Sequence, residues 1–261
     1  EVGAVLRVRR SYYRLWGTPG GLAKRHERPE AAVVRETMEE VNLAVELIGE
    51  RWAMLIVRDL LVGPRRYTDL KQGLPRIPTN ILSTRLKELQ EGGVVRRVPL
   101  QNCGLVYELT PYGRELEPIV LALGRWGFAQ MGDPGADDIV TADSLTMALR
   151  TAFQADASAS LPAADYELHV GDVALRVQVS GAELRIAQLA PPAPPVGGRL
   201  PAGEPEVVFA AGPGIRRVIA GELTPAQAID DDVLSVVSGD GSLLERFAAT
   251  FRIDAARVTA A

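Results

Sequence analysis

The stretch RWAMLIVRDLLVGPRRYTDLKQGLPRIPTNILSTRLKELQEGGVVRRV, residues 51 to 98, constrains the fold of this chain more than any other segment. It reads as a helix, a basic corner, a short helix, a turn, a second helix and a basic β-strand. That order predicts a winged helix-turn-helix, which lays one helix in a DNA major groove and a hairpin beside it. In the second helix Leu82, Leu86 and Leu89 recur at i, i+4 and i+7, so this stripe is expected to face inward. At about 100° per residue, Asn80, Ser83, Thr84 and Lys87 then point away from it, with Thr79 at the helix start. Asn can pair with adenine, Ser and Thr with any base, and Lys with guanine or phosphate. Arg85, on the flank, suits a phosphate contact or an ion pair within the protein. Arg65 and Arg66 follow Gly63-Pro64 just ahead of the short helix, where cations and helix N–H groups suit a phosphate. Arg96 and Arg97 stand at the base of the wing. Neighbours on a strand face opposite sides, so one of the two is expected to reach DNA.

The net charge of −4 fits a DNA binder poorly until it is divided along the chain. Residues 1–43 carry 8 Lys/Arg against 6 Asp/Glu, a net +2. Residues 44–131 carry 12 against 9, a net +3, and residues 132–261 carry 9 against 18, a net −9. The middle segment therefore holds the phosphate-facing surface, and the acidic segment is expected to sit away from the duplex. The length allows about two domains of roughly 150 residues each. No apolar run spans a bilayer and nothing reads as a signal peptide. A lone Cys103 excludes an internal disulfide and fits a reducing cytoplasm.

The texture of the chain changes in blocks. Residues 1–43 begin with an apolar-basic strand, AVLRVRR, then a Gly/Pro turn and a charged helix. A last helix of the middle block is expected from about Pro111 to Met131, with Pro at the first helical position. GDPGADD at 132–138 is a linker by composition. Alternation then returns at Leu168 and Val170, at Leu175, Val177 and Val179, and at Leu184 and Ile186. With turns at Gly171-Asp172 and Gly181, this predicts a half-buried antiparallel meander. A Pro/Gly loop precedes a strand at 207–210. Short helices at 213–221 and 225–230, a strand near 233–237 and a helix at 241–252 complete an α+β unit.

Three passages, LIGERWAMLIVRDLLVGPRRYTDL, IPTNILSTRLKELQEGGVVRR and YELTPYGRELEPIVLALGRWG, make residues 44–131 resemble the HxlR family of winged-helix regulators, relatives of MarR. The resemblance implies a homodimer whose interface is formed by the first and last helices. Here those would present Leu47, Trp52, Leu55 and Ile56 with Ile119, Leu123, Trp126 and Phe128. The chain departs from the family in lacking the Cys that often precedes the first helix, and Cys103 at the wing tip is a poor substitute. Redox sensing is not expected.

Gly21, Glu27 and the run Arg35-Glu36-Thr37-Met38-Glu39-Glu40-Val41-Asn42-Leu43 resemble the Nudix hydrolase box, with Asn42 in place of its usual Gly. Glu36, Glu39 and Glu40 fall at i, i+3 and i+4 on one helical face. Three such carboxylates can hold Mg²⁺ against a diphosphate and position water. The winged helix follows directly after Leu43, which leaves about 43 residues, near the limit below which a lone core rarely suffices. The segment therefore reads as a remnant, and no enzymatic activity or cofactor is expected unless the box is functional with Mg²⁺. Residues 139–261 resemble the sterol carrier protein-like domain, mainly through IAGELTPAQAI and DGSLLERFAATF. That resemblance implies a sheet backed by helices around an apolar tunnel, hence a lipid-like ligand. The predicted whole is α+β, a winged helix followed by a sterol carrier-like domain with an antiparallel sheet.

Overall fold

The computed structural model describes residues 29–100, 104–132, 135, 139–189, 203–212 and 214–254, with Met38 the first described side chain. The predicted strand and Gly/Pro turn of residues 1–28, and Cys103, lie outside the described residues. The chain divides into two compact units. Residues up to Leu61 and Arg65–Leu116 form the first, and Glu117 onward with Val62–Pro64 form the second.

The first unit holds α1 (Pro29–Ile48), α2 (Arg51–Val62), α3 (Tyr67–Gly73), α4 (Thr79–Glu91), β1 (Val95–Leu100), β2 (Gly104–Leu109) and α5 (Pro111–Arg114). The helix α1 runs without interruption across the boundary expected at 43/44. In α2, Ala53, Ile56, Val57, Leu60 and Leu61 are buried at i, i+3, i+4, i+7 and i+8, the stripe by which a helix joins a core. Leu70, Leu74 and Ile77 of α3 and the following turn are buried as well, as are Leu82, Leu86 and Leu89 of α4. The strands β1 and β2 form an antiparallel hairpin in register from Val95↔Leu109 to Leu100↔Gly104. Thr110 closes that hairpin: its hydroxyl donates to Gly93 O at 2.6 Å and accepts from Gly113 N at 3.0 Å. Gly113 has no room for a side chain, since a Cβ there would lie 2.1 Å from Val94 O.

The long helix expected from Pro111 to Met131 is in fact broken after α5, and α6 (Glu117–Phe128) belongs to the second unit. Pro118 is the reason. It offers no N–H to the Arg114 carbonyl four residues back, and its ring crowds that carbonyl.

In the second unit α6 packs on α7 (Ala142–Ala152). Glu117 pairs with Arg150, Arg125 Nε donates to Thr151 O at 3.1 Å, and Gly124 lets Thr151 approach. After α8 (Ala155–Ala159) come β3 (Ala164–Val170), β4 (Val173–Ser180), β5 (Glu183–Gln188), β6 (Val207–Ala211), α9 (Ile215–Ile219), α10 (Pro225–Asp230), β7 (Leu234–Gly239) and α11 (Leu243–Thr250). The expected meander is β3-β4-β5, and Gly171 and Gly181 turn its hairpins with φ of 57° each. The sheet order is β5-β4-β3-β6-β7, and β6 lies parallel to β3, so the sheet is mixed where an antiparallel one was expected. A parallel neighbour needs a crossover of a dozen or so residues. The Pro/Gly-rich passage between Gln188 and Val207 is long enough to supply it.

The core of this unit lies between the sheet and its helices. Phe247 from α11 stands among Tyr166, Phe209 and Phe251, with ring centroids 5.4, 5.1 and 4.7 Å away. Those rings belong to one buried cluster with Leu149, Leu168, Val177 and Leu244. Aromatic side chains from β3, β6 and α11 converge there and pack edge to face.

Tyr166 is fully buried, and its hydroxyl has no hydrogen-bond partner among the described residues. Burial pushes the phenol pKa up to about 12, with Arg246 pulling down and Glu206 pushing up. An unfolded Tyr ionises near 10, so above that pH the unfolded chain releases a proton that the folded unit keeps. Stability is therefore full below about pH 10 and falls as pH rises from there towards 12. Tyr166→Phe is expected to abolish that alkaline loss. By deleting an unsatisfied hydroxyl it should also raise stability at neutral pH by on the order of 1 kcal/mol. Urea denaturation at neutral pH and at about pH 11 reads both effects.

Candidate nucleic-acid interface

The exposed face of α4 is built by what is hidden beneath it. Leu82, Leu86 and Leu89 are buried, and the 100° step per residue leaves Thr79, Asn80, Ser83, Thr84 and Lys87 exposed together. Pro78 takes the N-cap position, φ −63° and ψ 141°, and its carbonyl accepts the first helical bond from Leu82 N at 3.0 Å. The turn ahead of it is held by Lys71, whose Nζ donates to Pro75 O at 3.1 Å and to Ile77 O at 2.8 Å. Tyr67 Oη donates to Thr79 O at 3.0 Å and lies 3.0 Å from Ser83 Oγ. Thr84 Oγ1 donates to Asn80 O at 2.9 Å. Lys87 is 77% exposed, its ammonium 3.7 Å from the Glu91 carboxylate one helical turn on. A surface pair this long is worth little, so Lys87 can exchange its partner for a phosphate or a guanine edge.

Arg65 and Arg66 part company. Arg66 is exposed at the N-cap of α3, but Arg65 is only 3% exposed. The backbone of Arg65 forms an isolated bridge to Tyr107 on β2, N–H to O at 2.9 Å and O from N–H at 2.7 Å, which draws the residue into the unit. The expectation that both arginines offer surface cations is corrected on that ground, and Arg66 keeps the role. The N-terminal N–H of α3 is also less open than expected, since Asp69 Oδ2 accepts from Arg66 N at 2.9 Å.

Arg85 makes the ion pairs expected of a flanking residue, with Glu88 at 2.5 Å and Glu50 at 3.6 Å. On the wing both arginines are exposed. Arg96 is tied to Glu108 across the hairpin at 2.6 Å, whereas the Arg97 guanidinium lies 5.7 Å from the Tyr107 ring centre. The two face opposite sides, and Arg97 is the one whose charge no carboxylate meets across the strand pair. Tyr67, Lys71 and the exposed Arg76 of the turn went unnoticed in the sequence. The hydroxyl of Tyr67, at a position where helix packing requires only an apolar ring, was the available signal.

The residues expected at a dimer interface also divide. Ile119, Leu123 and Trp126 are exposed on α6 at i, i+4 and i+7, Trp126 by 76%. Leu47 is half-buried against Gly92, and Trp52 is half-buried with the Arg51 guanidinium 4.9 Å from its ring. Ile56 is fully buried, and Phe128 packs against the core of the second unit. Of the box carboxylates only Glu40 has a described side chain, which is exposed; those of Glu36 and Glu39 lie outside the described residues. No helix among the described residues is long and apolar enough to cross a membrane.

Comparison with known proteins addresses the same stretch. A family model described as HxlR-like helix-turn-helix matches residues 47–134, and one described as a NUDIX domain matches residues 1–68. YvaP of Bacillus subtilis strain 168, an uncharacterized HTH-type transcriptional regulator, is 39% identical over 85 residues, covering 32% of this chain and 79% of that one. YodB of the same organism, also an HTH-type transcriptional regulator, is 33% identical over 98 residues, covering 36% of this chain and 88% of its own length. The crystal structure of quinone-bound YodB shares 30% identity with a TM-score of 0.31, over 34% of this chain and 96% of that chain. These matches leave the second unit beyond residue 134 unaccounted for. From α2 through the wing, the bare polar helix and its relatives agree, and the chain belongs to the HxlR-like helix-turn-helix family of DNA-binding transcription regulators.

Proposed function

We propose that residues 44–131 act as a homodimer that reads a pseudo-palindromic operator in the cytoplasm. The observation that carries this reading is the face of α4, where Thr79, Asn80, Ser83, Thr84 and Lys87 are exposed above a buried leucine stripe. A polar helix face with amide, hydroxyl and ammonium groups can pair with base edges in a major groove. Arg66, Arg97 and the exposed Arg76 supply phosphate contacts that set position without reading sequence. The Ile119, Leu123 and Trp126 stripe supplies the apolar surface that a second copy would cover. The acidic second unit, expected to stay off the duplex, takes no part in base reading.

Gel shifts on the DNA adjoining its own gene, at several salt concentrations, test the proposal; equal affinity for every sequence would reduce it to nonspecific binding. Arg66→Ala is expected to weaken binding to all duplexes alike and to flatten the slope of log affinity against log salt by about one unit. Arg65→Ala, buried, is expected to act on stability rather than on that slope.

A second reading rests on the NUDIX match over residues 1–68. In it, Glu36, Glu39 and Glu40 would hold Mg²⁺ for hydrolysis of a nucleoside diphosphate-linked substrate. Phosphate release from a nucleotide panel with Mg²⁺, abolished by Glu39→Gln, would establish it.

A further inference from the structure

The first turn of α4 is joined to α3 by three oxygens that form a triangle. Tyr67 Oη lies 3.0 Å from Thr79 O and 3.0 Å from Ser83 Oγ, and Ser83 Oγ lies 3.1 Å from Thr79 O. A carbonyl only accepts, so the two hydroxyl protons serve two of the three contacts at a time: Tyr67 to Thr79 O with Ser83 to Tyr67 Oη, or Tyr67 to Ser83 Oγ with Ser83 to Thr79 O. Whichever way the Tyr67–Ser83 bond runs, the single Ser83 proton is directed to Thr79 O or to Tyr67 Oη, both inside the protein. The side chain is nonetheless exposed on the face that the proposed function lays against bases. Its remaining capacity is a lone pair.

We propose that Tyr67 is a positioning residue for base recognition. Its phenol holds the first turn of α4 against α3 and fixes Ser83 as a hydrogen-bond acceptor, so that the base under Ser83 is one presenting an amino group. In the major groove the donors are cytosine N4 and adenine N6, whereas guanine O6 and N7 and thymine O4 only accept. A serine left to itself pairs with either kind; this one is committed. Helix packing explains an aromatic ring at position 67 but not its hydroxyl, and both atoms that the hydroxyl meets belong to the reading helix. The inference rests on the DNA-reading role of α4 and adds to it the chemistry of one base position.

The test uses the full chain with duplexes enriched from random DNA, then the same duplex carrying each base in turn. It compares wild type, Tyr67→Phe, Ser83→Ala and the double variant at low and moderate salt. Wild type is expected to prefer an amino-bearing base at one position by about 5- to 10-fold. Tyr67→Phe should reduce that preference to about 2-fold or less, while affinity for unrelated DNA and the salt slope stay as in wild type. Ser83→Ala should lose the preference as well, and the double variant should lose no more than either single one, as expected of groups acting as a unit. An unchanged base ranking in Tyr67→Phe overturns the inference. So does equal weakening on all duplexes with a shallower salt slope, which would make the phenol a phosphate contact, and so do additive losses. If wild type enriches no sequence, the reading role of α4 itself fails; if it does and Tyr67→Phe matches it, only the role of Tyr67 fails.

Discussion

Replacing Phe247 with alanine is expected to cost the second unit about 3–5 kcal/mol, the range for emptying a buried aromatic site. The ring is fully buried and touches Tyr166, Phe209 and Phe251, two of these edge-to-face at 75° and 72°. Each such pair adds about 0.5–1.5 kcal/mol beyond the area it removes from water. These contacts join β3, β6 and α11, which are separated widely along the chain, so the void could not close by a local shift. A total of this size is a large fraction of the 5–15 kcal/mol or so that stabilises a whole domain. Urea denaturation followed through near-ultraviolet circular dichroism measures it, with Phe247→Leu as the milder comparison. A loss below about 1 kcal/mol would mean that the rings do not form the core described above.

The second large effect is on DNA. Asn80→Ala is expected to relax preference at one adenine by roughly 5- to 150-fold, the equivalent of about 1–3 kcal/mol for a good base contact. Lys87→Ala should act at a different base or at a phosphate, and the salt dependence separates these, since only loss of a phosphate contact flattens the slope. The two residues lie two helical turns apart and share no partner among the described residues, so their effects should add when combined. Full discrimination retained by the double variant would move the reading surface off α4.

Local pattern was sufficient for much of this. The leucine spacing of α4 named its buried face, Gly171 and Gly181 named the hairpins, and Pro111 marked the start of a helix. What escaped was decided by partners far along the chain. Arg65 reads as a surface cation until its backbone is seen paired with Tyr107, and no local signal announces that bridge. Phe128 reads as an interface residue until it is placed against the second core. The helix α7 was missed although Thr141 and Ser144 form a reciprocal cap, Thr141 Oγ1 accepting from Ser144 N at 3.2 Å and Ser144 Oγ from Thr141 N at 2.9 Å. The familiar form of that cap carries Glu or Gln at its third position, and Ser does not stand out in the sequence. The break at Pro118 is readable in the chain itself, since a proline inside a helix removes an N–H and crowds the carbonyl four residues back. On the candidate reading face, the exposure of Asn80, Ser83, Thr84 and Lys87 follows from helical geometry alone, whereas the contact of Tyr67 with α4 depends on how α3 and α4 meet.

Selection of bound duplexes from a random pool, by the wild-type chain and by Asn80→Ala in parallel, addresses sequence reading through α4 most directly. The expected result is a two-fold related motif whose half-sites lie about one helical turn, roughly 10 base pairs, apart, with one adenine position blurred in both half-sites by Asn80→Ala. Pools from both proteins that show no enriched motif, or the same motif unaltered by the substitution, would contradict it.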